Sequence, residues 1–193
     1  MEIIKNVAPP VPDELMQKAQ ELYDYIEKSS DTPLKKLSHI YDYLTEFSIF
    51  AQTFSKCSKG CSACCAYGVS ITTFEAEYIS LKTGIEYSRE TVFAKNDNAD
   101  CPFLGNSGEC SIYDCRPIIC WMVHTLGDPK NCEIGVGENQ VWYGSQGANF
   151  SNSVYSELIQ LINIQNLLLG GDVRDIRFFF PYDNLSLPKS LLF

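Results

Sequence analysis

The sequence predicts a mainly α fold, in which a helical hairpin plus a C-terminal helix surround an irregular, cysteine-rich core. Two stretches, residues 13–50 and 151–169, carry apolar residues at helical spacing. Between them lie all nine cysteines, from Cys57 to Cys132. The composition, 45% hydrophobic and 20% charged, is typical of a globular protein with a real core. We divide the chain into a hairpin at 1–50, a cysteine-rich core at 51–135, and a C-terminal helix and tail at 136–193.

The hairpin is predicted from two apolar stripes separated by a turn. A Pro-rich lead-in ends at Asp13, which suits a helix N-cap after Pro12. Residues 29–33 contain Ser, Asp and Pro and are typical of a turn. The first stripe is Leu15, Ala19, Leu22, Tyr23 and Ile26, and the second is Leu34, Leu37, Ile40, Tyr41, Leu44, Phe47 and Phe50. We interpret the aromatic members as core residues and His39 as an ordinary structural residue.

A third helix is predicted by a capping box. An extended stretch at 68–71 leads into Thr72, and Glu75 three residues later completes the box, so a helix should run through about Leu81. We expect Glu75 and Glu77 to have capping and solvent-facing roles.

The remaining elements are predicted from turn signals and periodicity. Residues 111–123 contain a turn or short helix if Pro117 sits in its first turn. The amphipathic helix at 151–169 ends at two glycines, 170–171. The apolar tail, 176–193, is interrupted by prolines and should pack back over the body as irregular chain.

The charge of the chain excludes some classes of partner. A formal net charge of −9 argues against a sequence-independent nucleic-acid binder and against docking on anionic lipid. The apolar runs are too short to cross a bilayer, and the first residues do not resemble a secretory signal. We therefore expect a cytoplasmic location, where thiols stay reduced. An odd number of clustered cysteines in that compartment favours metal ligation over a disulfide framework.

The cysteines form two sequence clusters. The first has the spacing Cys-x3-Cys-x2-Cys-Cys among small, flexible neighbours, which let the backbone wrap so that several thiolates converge. The second spans residues 101–120, and Cys132 lies beyond it. The adjacent pair, Cys64 and Cys65, suggests that one of the two bridges, serves a second centre or stays a free thiol. The interpretation of all nine as small buried apolar residues is the weaker one.

These motifs resemble the YkgJ-type cysteine-cluster family, whose members are described as zinc- or iron-chelating domains. The resemblance covers about 57–120 and rests on Cx3CxxCC followed by CPFL, CSIY and RPxxC. Arg116 and Pro117 match the RP dipeptide, and Ile112 and Tyr113 match the hydrophobic pair before it. Trp121 stands where the family usually has Arg. The predicted metal ligands are Cys57, Cys61, Cys64, Cys65, Cys101, Cys110, Cys120 and, completing the set, Cys132. Cys115 ranks below them because it falls at a variable position.

The resemblance leaves the metal and the reaction open. A flagellin lysine N-methylase with the same cysteine pattern carries an iron–sulfur cluster, which implies a [4Fe–4S] centre held by Cys57, Cys61, Cys64 and one or more later cysteines. Zinc remains an alternative, because the sulfurs could supply two four-thiolate sites. Three functions follow: an iron–sulfur protein with a redox or protein-modifying role, a zinc-binding structural or interaction module, and a methyl-transfer type of enzyme. The expected partners are the metal and a protein partner or protein substrate.

Other signals are weaker. The Cys57, Cys61 and Cys64 spacing also occurs in radical SAM enzymes, but Ala63 replaces their aromatic residue and the alternating strands and helices are missing. The Gly-x-Gly at 135–137 follows no apolar strand and is interpreted as a loop. His124 follows Cys120 by four residues, which on a helix would place both on one face. It could be a nitrogen ligand or a donor to a cluster sulfur, although a lone histidine is more often a structural residue. Arg116 is most simply a structural residue that caps carbonyls or neutralises thiolate charge, and the alternative is a direct part in binding a substrate.

Overall fold

Helices dominate the structure, as the sequence predicts. The computed structural model describes residues 8–90, 100–133, 136–137, 140–145 and 150–181. Its helices are α1 (Asp13–Lys28), α2 (Pro33–Gln52), α3 (Thr73–Thr83), α4 (Ile118–Met122), α5 (Val154–Leu168) and α6 (Ile176–Phe179). Its strands are β1 (Ser70–Thr72), β2 (His124–Thr125), β3 (Val141–Trp142) and β4 (Val173–Asp175).

The N-terminal hairpin forms because two amphipathic helices bury their apolar stripes against each other. Pro12 occupies the N-cap position of α1, and Asp13, which we expected there, lies in the first turn, where its charge suits the helix dipole. The Thr32 side chain caps α2 by accepting a hydrogen bond from the Lys35 N–H. On α2, Leu37 and Leu44 are fully buried, so this helix supplies much of the central core.

The α3 helix begins with the predicted capping box, and Glu75 does more than cap it. The Thr72 side chain accepts from the Glu75 N–H, and the Glu75 carboxylate accepts from the Thr72 N–H at 3.0 Å. Glu75 is only 2% exposed, so the expected solvent-facing role is wrong for this residue. Its Oε1 also accepts from the Ile118 N–H at 2.9 Å. One buried carboxylate therefore holds the first turns of both α3 and α4.

The strands pair in two short antiparallel sheets within the described residues. β1 pairs with β4, with Ile71 opposite Arg174. β2 pairs with β3, with His124 opposite Trp142. Because their partners are more than a dozen residues apart in sequence, these ladders join the cysteine-rich segment to the C-terminal part of the chain.

The C-terminal helix α5 begins three residues later than the periodicity predicts. Residues 150–152 form a 3-10 turn, and Ser153 then caps α5. The Asn166 side chain accepts from the Phe74 N–H at 3.1 Å, which ties α5 to the start of α3. The tail was expected to be irregular, but its first residues form the short helix α6 because Asp175 caps the Arg177 N–H. Residues 182–193 of that tail lie outside the described residues, as do residues 91–99, 134–135 and 138–139.

An aromatic cluster at the centre of the fold joins α2, α5 and β3. Phe47 stacks on Trp142 with ring centroids 5.7 Å apart and meets Tyr155 edge-on at 5.3 Å. Such pairs add specific geometry to the burial of apolar area. In the ranges given above, no helix is long and apolar enough to cross a membrane.

We expect Glu75→Gln to destabilise the protein by about 1–3 kcal/mol, because the amide NH₂ would face N–H donors that the carboxylate now satisfies. Glu77→Gln, a change of the same chemistry at a half-buried neighbour on the same helix, should stay within about 0.5 kcal/mol of the parent. Urea unfolding of both variants measures the difference. Equal stability of the two variants would show that the Glu75 link between α3 and α4 is unimportant.

Candidate metal centre

The first cysteine motif is shaped by two tight turns. The Cys61 N–H donates to the Ser58 carbonyl at 3.0 Å, and this turn passes through Gly60 with a φ of 95°, a conformation that favours glycine. A 3-10 turn at Ala63–Ala66 then carries Cys64 and Cys65. Turns this tight present successive side chains over a short length of chain.

The start of the motif is fixed to strand β2. The Lys56 N–H donates to the Thr125 carbonyl at 3.0 Å, and the Thr125 N–H donates to the Cys57 sulfur at 3.1 Å. An N–H group directed at a sulfur favours the thiolate, because it donates to the charged form. Cys57 is thus held beside His124, the neighbour of Thr125 in the chain.

The second motif lies directly against the first. The Cys101 N–H donates to the Cys65 carbonyl at 2.8 Å. A bridge between Leu104 and Cys110 then folds the chain back, so that Cys110 returns towards Cys101. Cys120 follows on α4, whose first N–H is held by the Glu75 carboxylate.

Together the motifs enclose a cavity of about 360 Å³, the large cavity. Its lining includes seven of the nine cysteines: Cys61, Cys64, Cys65, Cys101, Cys110, Cys120 and Cys132. Both members of the adjacent pair reach it, which the sequence alone did not predict. Cys57 instead lines a neighbouring cavity of about 50 Å³, the small cavity. In the part of the chain that the structure describes, no three Cys, His, Asp or Glu side chains converge on one point closely enough to hold an ion.

Electrostatic coupling links the thiols into two overlapping groups, because Cys64 acts on members of both. Burial raises the pKa of Cys57, and further increases come from Cys61, Cys64 and Cys132; these four are the first cysteine group. Burial raises the pKa of Cys101 to about 12, with a further increase from Cys110. Cys65 and Cys120 are affected by the same two thiols, so the second cysteine group is Cys65, Cys101, Cys110 and Cys120.

Cys64 stands at the junction of the two groups. It shares a hydrogen bond with Cys65, which lowers the pKa of Cys64 and raises that of Cys65. Of the two thiols, Cys64 is therefore the one that ionises more readily. Cys64 also lines both cavities.

Arg116 supplies positive charge to the same place. Its guanidinium carbon lies 4.0 Å from the centre of the Tyr113 ring and 4.2 Å from that of Trp121. Such stacking orients an arginine without using its hydrogen-bond donors. Its buried Nε has no hydrogen-bond partner among the described residues. Burial raises the pKa of Cys110 and Cys120, and the Arg116 charge acts in the opposite direction on both.

In this arrangement Trp121, which departs from the family pattern, contacts Arg116 directly, and the position of Arg116 is defined more precisely than from the sequence. The Trp121 Nε1–H donates to the Arg116 carbonyl at 2.8 Å while its ring covers the guanidinium. The guanidinium borders both cavities. Of the two structural roles predicted for Arg116, neutralising thiolate charge fits this position.

His124 is buried at the edge of the small cavity. The helix expected to carry both Cys120 and His124 ends at Met122, and His124 begins strand β2. Both residues nevertheless line the small cavity. Burial, with help from the nearby Arg116 charge, lowers the pKa of His124 to about 4, so the imidazole is neutral at physiological pH.

Cys115 lies apart from the other cysteines. It is 8% exposed, packs with the apolar core, and lines neither cavity. Burial raises its pKa to about 11, as is usual for a thiol that serves as a small apolar side chain.

Three features that shape the site were not predicted from the sequence. The burial of Glu75, the Thr125 N–H at Cys57 and the Tyr155 hydroxyl at His124 all depend on contacts between distant segments. The capping box identified Glu75, but no local signal marks its second partner.

The donor set fits a thiophilic metal, since it consists of clustered thiols with one cation and an N–H donor beside them. The site is thus of the cysteine-cluster class. Residues 56–140 match the family model CxxCxxCC, described as "Putative zinc- or iron-chelating domain". This match agrees with the resemblance predicted from the motif at 57–120. No curated protein and no solved structure matches the chain.

We expect Cys115→Ala to keep the parent content of metal, whereas Cys110→Ala should lose at least half of it. The reason is position, because Cys110 lines the large cavity and Cys115 packs in the core. Cys115→Ala should still lower the free energy of unfolding by about 1–2 kcal/mol, as truncation of a buried side chain does. Elemental analysis of the two purified variants tests this. Loss of metal from Cys115→Ala with Cys110→Ala unaffected would contradict the assignment.

Proposed function

We propose that the domain binds an iron–sulfur cluster in the large cavity. The supporting observation is that seven cysteines line one cavity of about 360 Å³. A single zinc ion binds sulfur at about 2.3 Å, so four thiolates around it close on a space of a few tens of Å³. The large cavity has room for a core of several metal and sulfide atoms.

The second cysteine group provides the natural ligand set for this cluster. Its members are Cys65, Cys101, Cys110 and Cys120, all of which line the large cavity. Four thiolates are what a [4Fe–4S] cluster needs. The prediction from sequence, in which Cys57, Cys61 and Cys64 hold the cluster, differs because Cys57 lines the small cavity instead.

The surrounding residues suit a negatively charged cluster. Arg116 lies beside the thiols and has a buried Nε that can donate to a sulfur. Hydrogen bonds and charges near the sulfurs tune the reduction potential of such centres. A bound cluster would supply one-electron chemistry, and the chain would orient it, shield it from water and balance its charge.

Zinc binding by a structural or interaction module remains the second candidate, because the thiols divide into two groups of four. Two four-thiolate zinc sites would use both groups completely. The third class, an enzyme of methyl-transfer type that binds a cofactor or substrate beside the cluster, finds support in the apolar side chains Val69, Ile119 and Val123 that share the large cavity.

We expect protein purified without oxygen to be brown, with broad visible absorption and with iron and acid-labile sulfide in comparable amounts. The measurement is a visible spectrum with iron, zinc and sulfide analysis per chain, and Cys115→Ala serves as a matched control that should give the same result. Colourless protein that carries zinc and no sulfide would reject the iron–sulfur proposal in favour of the zinc module.

Metal-free protein should bind Zn²⁺ more tightly as the pH rises, by at least about tenfold per pH unit. Burial raises the pKa of Cys101 to about 12, above the ordinary value of 9.0, so the thiol keeps its proton at neutral pH and must release it to coordinate. Competition with a chromophoric chelator at about pH 6.5 and about pH 8.5 measures the effect.

The stability of the metal-free protein should fall as the pH rises, in contrast to its affinity for Zn²⁺. A thiol whose folded pKa is raised contributes stability below its unfolded pKa and loses it as pH rises through the folded value. The melting temperature without metal should therefore fall above about pH 9.

For the zinc-affinity prediction, an affinity for Zn²⁺ that does not change with pH would show that buried thiols do not supply the ligands.

A further inference from the structure

His124 has one ring nitrogen whose hydrogen bond is fixed by its surroundings. Its Nε2 lies 2.6 Å from the Tyr155 hydroxyl oxygen. That hydroxyl lies 2.9 Å from the Trp121 carbonyl, to which it donates. A phenol has one proton to give, so towards His124 the hydroxyl oxygen must accept. The proton of the neutral imidazole is therefore on Nε2.

This tautomer leaves Nδ1 with an unprotonated lone pair. Nδ1 is buried and has no hydrogen-bond partner among the described residues. The residue as a whole is 3% exposed, so solvent does not satisfy it. A proton on Nδ1 would have no acceptor there and would lie near the Arg116 cation, which borders the same cavity. A buried polar atom without a partner calls for an explanation, and a role as a metal ligand is one of the ordinary ones.

The small cavity puts that nitrogen next to thiols. His124 lines it together with Cys57, Cys61, Cys64 and Cys120. Since the Nε2 side of the ring is taken by Tyr155, Nδ1 is the nitrogen that remains available to the cavity. Its volume of about 50 Å³ suits a single ion and its immediate ligands, unlike the large cavity.

We propose that the small cavity is a site for one thiophilic divalent cation of the zinc type, with Nδ1 of His124 as its nitrogen ligand. Its sulfur ligands are Cys57, Cys61 and Cys64, which belong to the first cysteine group. The fourth member of that group, Cys132, lines only the large cavity. Three cysteines and one histidine form a closed structural zinc set. In the described residues these side chains line the small cavity without converging on one point, so ion binding must turn them towards each other.

The surroundings match this ligand set in two ways. Three thiolates and a divalent ion leave one negative charge, which the Arg116 guanidinium at the cavity wall balances. Histidines that bind metal almost always donate their other N–H to an oxygen, which fixes the ring. Here that oxygen belongs to Tyr155, which is itself held by the Trp121 carbonyl. Tyr155 is therefore a positioning residue of the site.

This inference rests on the proposed metal-binding function, but it has its own readout. X-ray absorption at the zinc edge of the full chain, loaded with Zn²⁺, should show a nitrogen shell at about 2.0 Å beside sulfurs at about 2.3 Å. In His124→Cys the nitrogen shell should be replaced by sulfur while zinc stays bound. The matched control is His39→Ala, which removes the other histidine of the chain, half-exposed on α2, and should leave the spectrum unchanged.

A second variant tests the site without changing a ligand. Tyr155→Phe removes the acceptor for Nε2–H and should weaken Zn²⁺ binding by about 10- to 100-fold while the nitrogen shell is retained. Zinc bound by sulfur alone in the parent, or a spectrum that His124→Cys does not alter, would overturn the inference. Iron and sulfide content report separately on the large cavity, so a missing cluster would reject the proposed function without deciding the role of His124.

Discussion

The position of the cysteine-rich segment depends on one buried carboxylate. Glu75 accepts from the Thr72 N–H and from the Ile118 N–H, and so fixes the starts of two helices that are far apart in the chain. Burial raises the pKa of Glu75 because desolvation disfavours the charged carboxylate, and the hydrogen bonds from the Thr72 and Ile118 N–H groups act in the opposite direction. The second of these helices carries Cys120 and begins two residues after Arg116. The helical body therefore places part of the metal site through this residue.

The site itself depends on a balance between clustered negative groups and one oriented cation. Thiols packed this closely resist ionisation, and burial adds to that resistance. Arg116 lowers this cost, and the rings of Tyr113 and Trp121 hold it without consuming its donors. Trp121, at a position where the resemblance led us to expect arginine, provides a stacking surface for Arg116. The two cavities share that cation, which couples the proposed cluster to the proposed single-ion site.

The sequence predicted the elements whose signals are local. Both hairpin helices, the capping box of α3 and the helix ending at 168 follow from residues three or four positions apart, which contact each other in any helix. The predictions that proved wrong concern residues whose environment is set by a partner distant in the sequence. The sequence around Glu75 predicts a solvent-facing cap, but this residue is buried and bonds to the start of α4. The residues after 175 were predicted to be irregular, but they form a helix that Asp175 caps.

By itself the sequence determined that this protein has a helical body and a thiol-rich segment suited to zinc or iron, because periodicity and ligand chemistry are properties of short stretches. The resemblance of its motif to a known family also made Cys115 a weaker candidate for a metal ligand than the other cysteines. Only the tertiary structure decided which sulfurs share a cavity, that Cys57 lines a different cavity from Cys101, and which nitrogen of His124 faces the Tyr155 hydroxyl. These outcomes depend on contacts such as Thr125 with Cys57 and Tyr155 with His124. Those partners lie tens of residues apart, and the packing of the helices, not their spacing in the chain, brings them together.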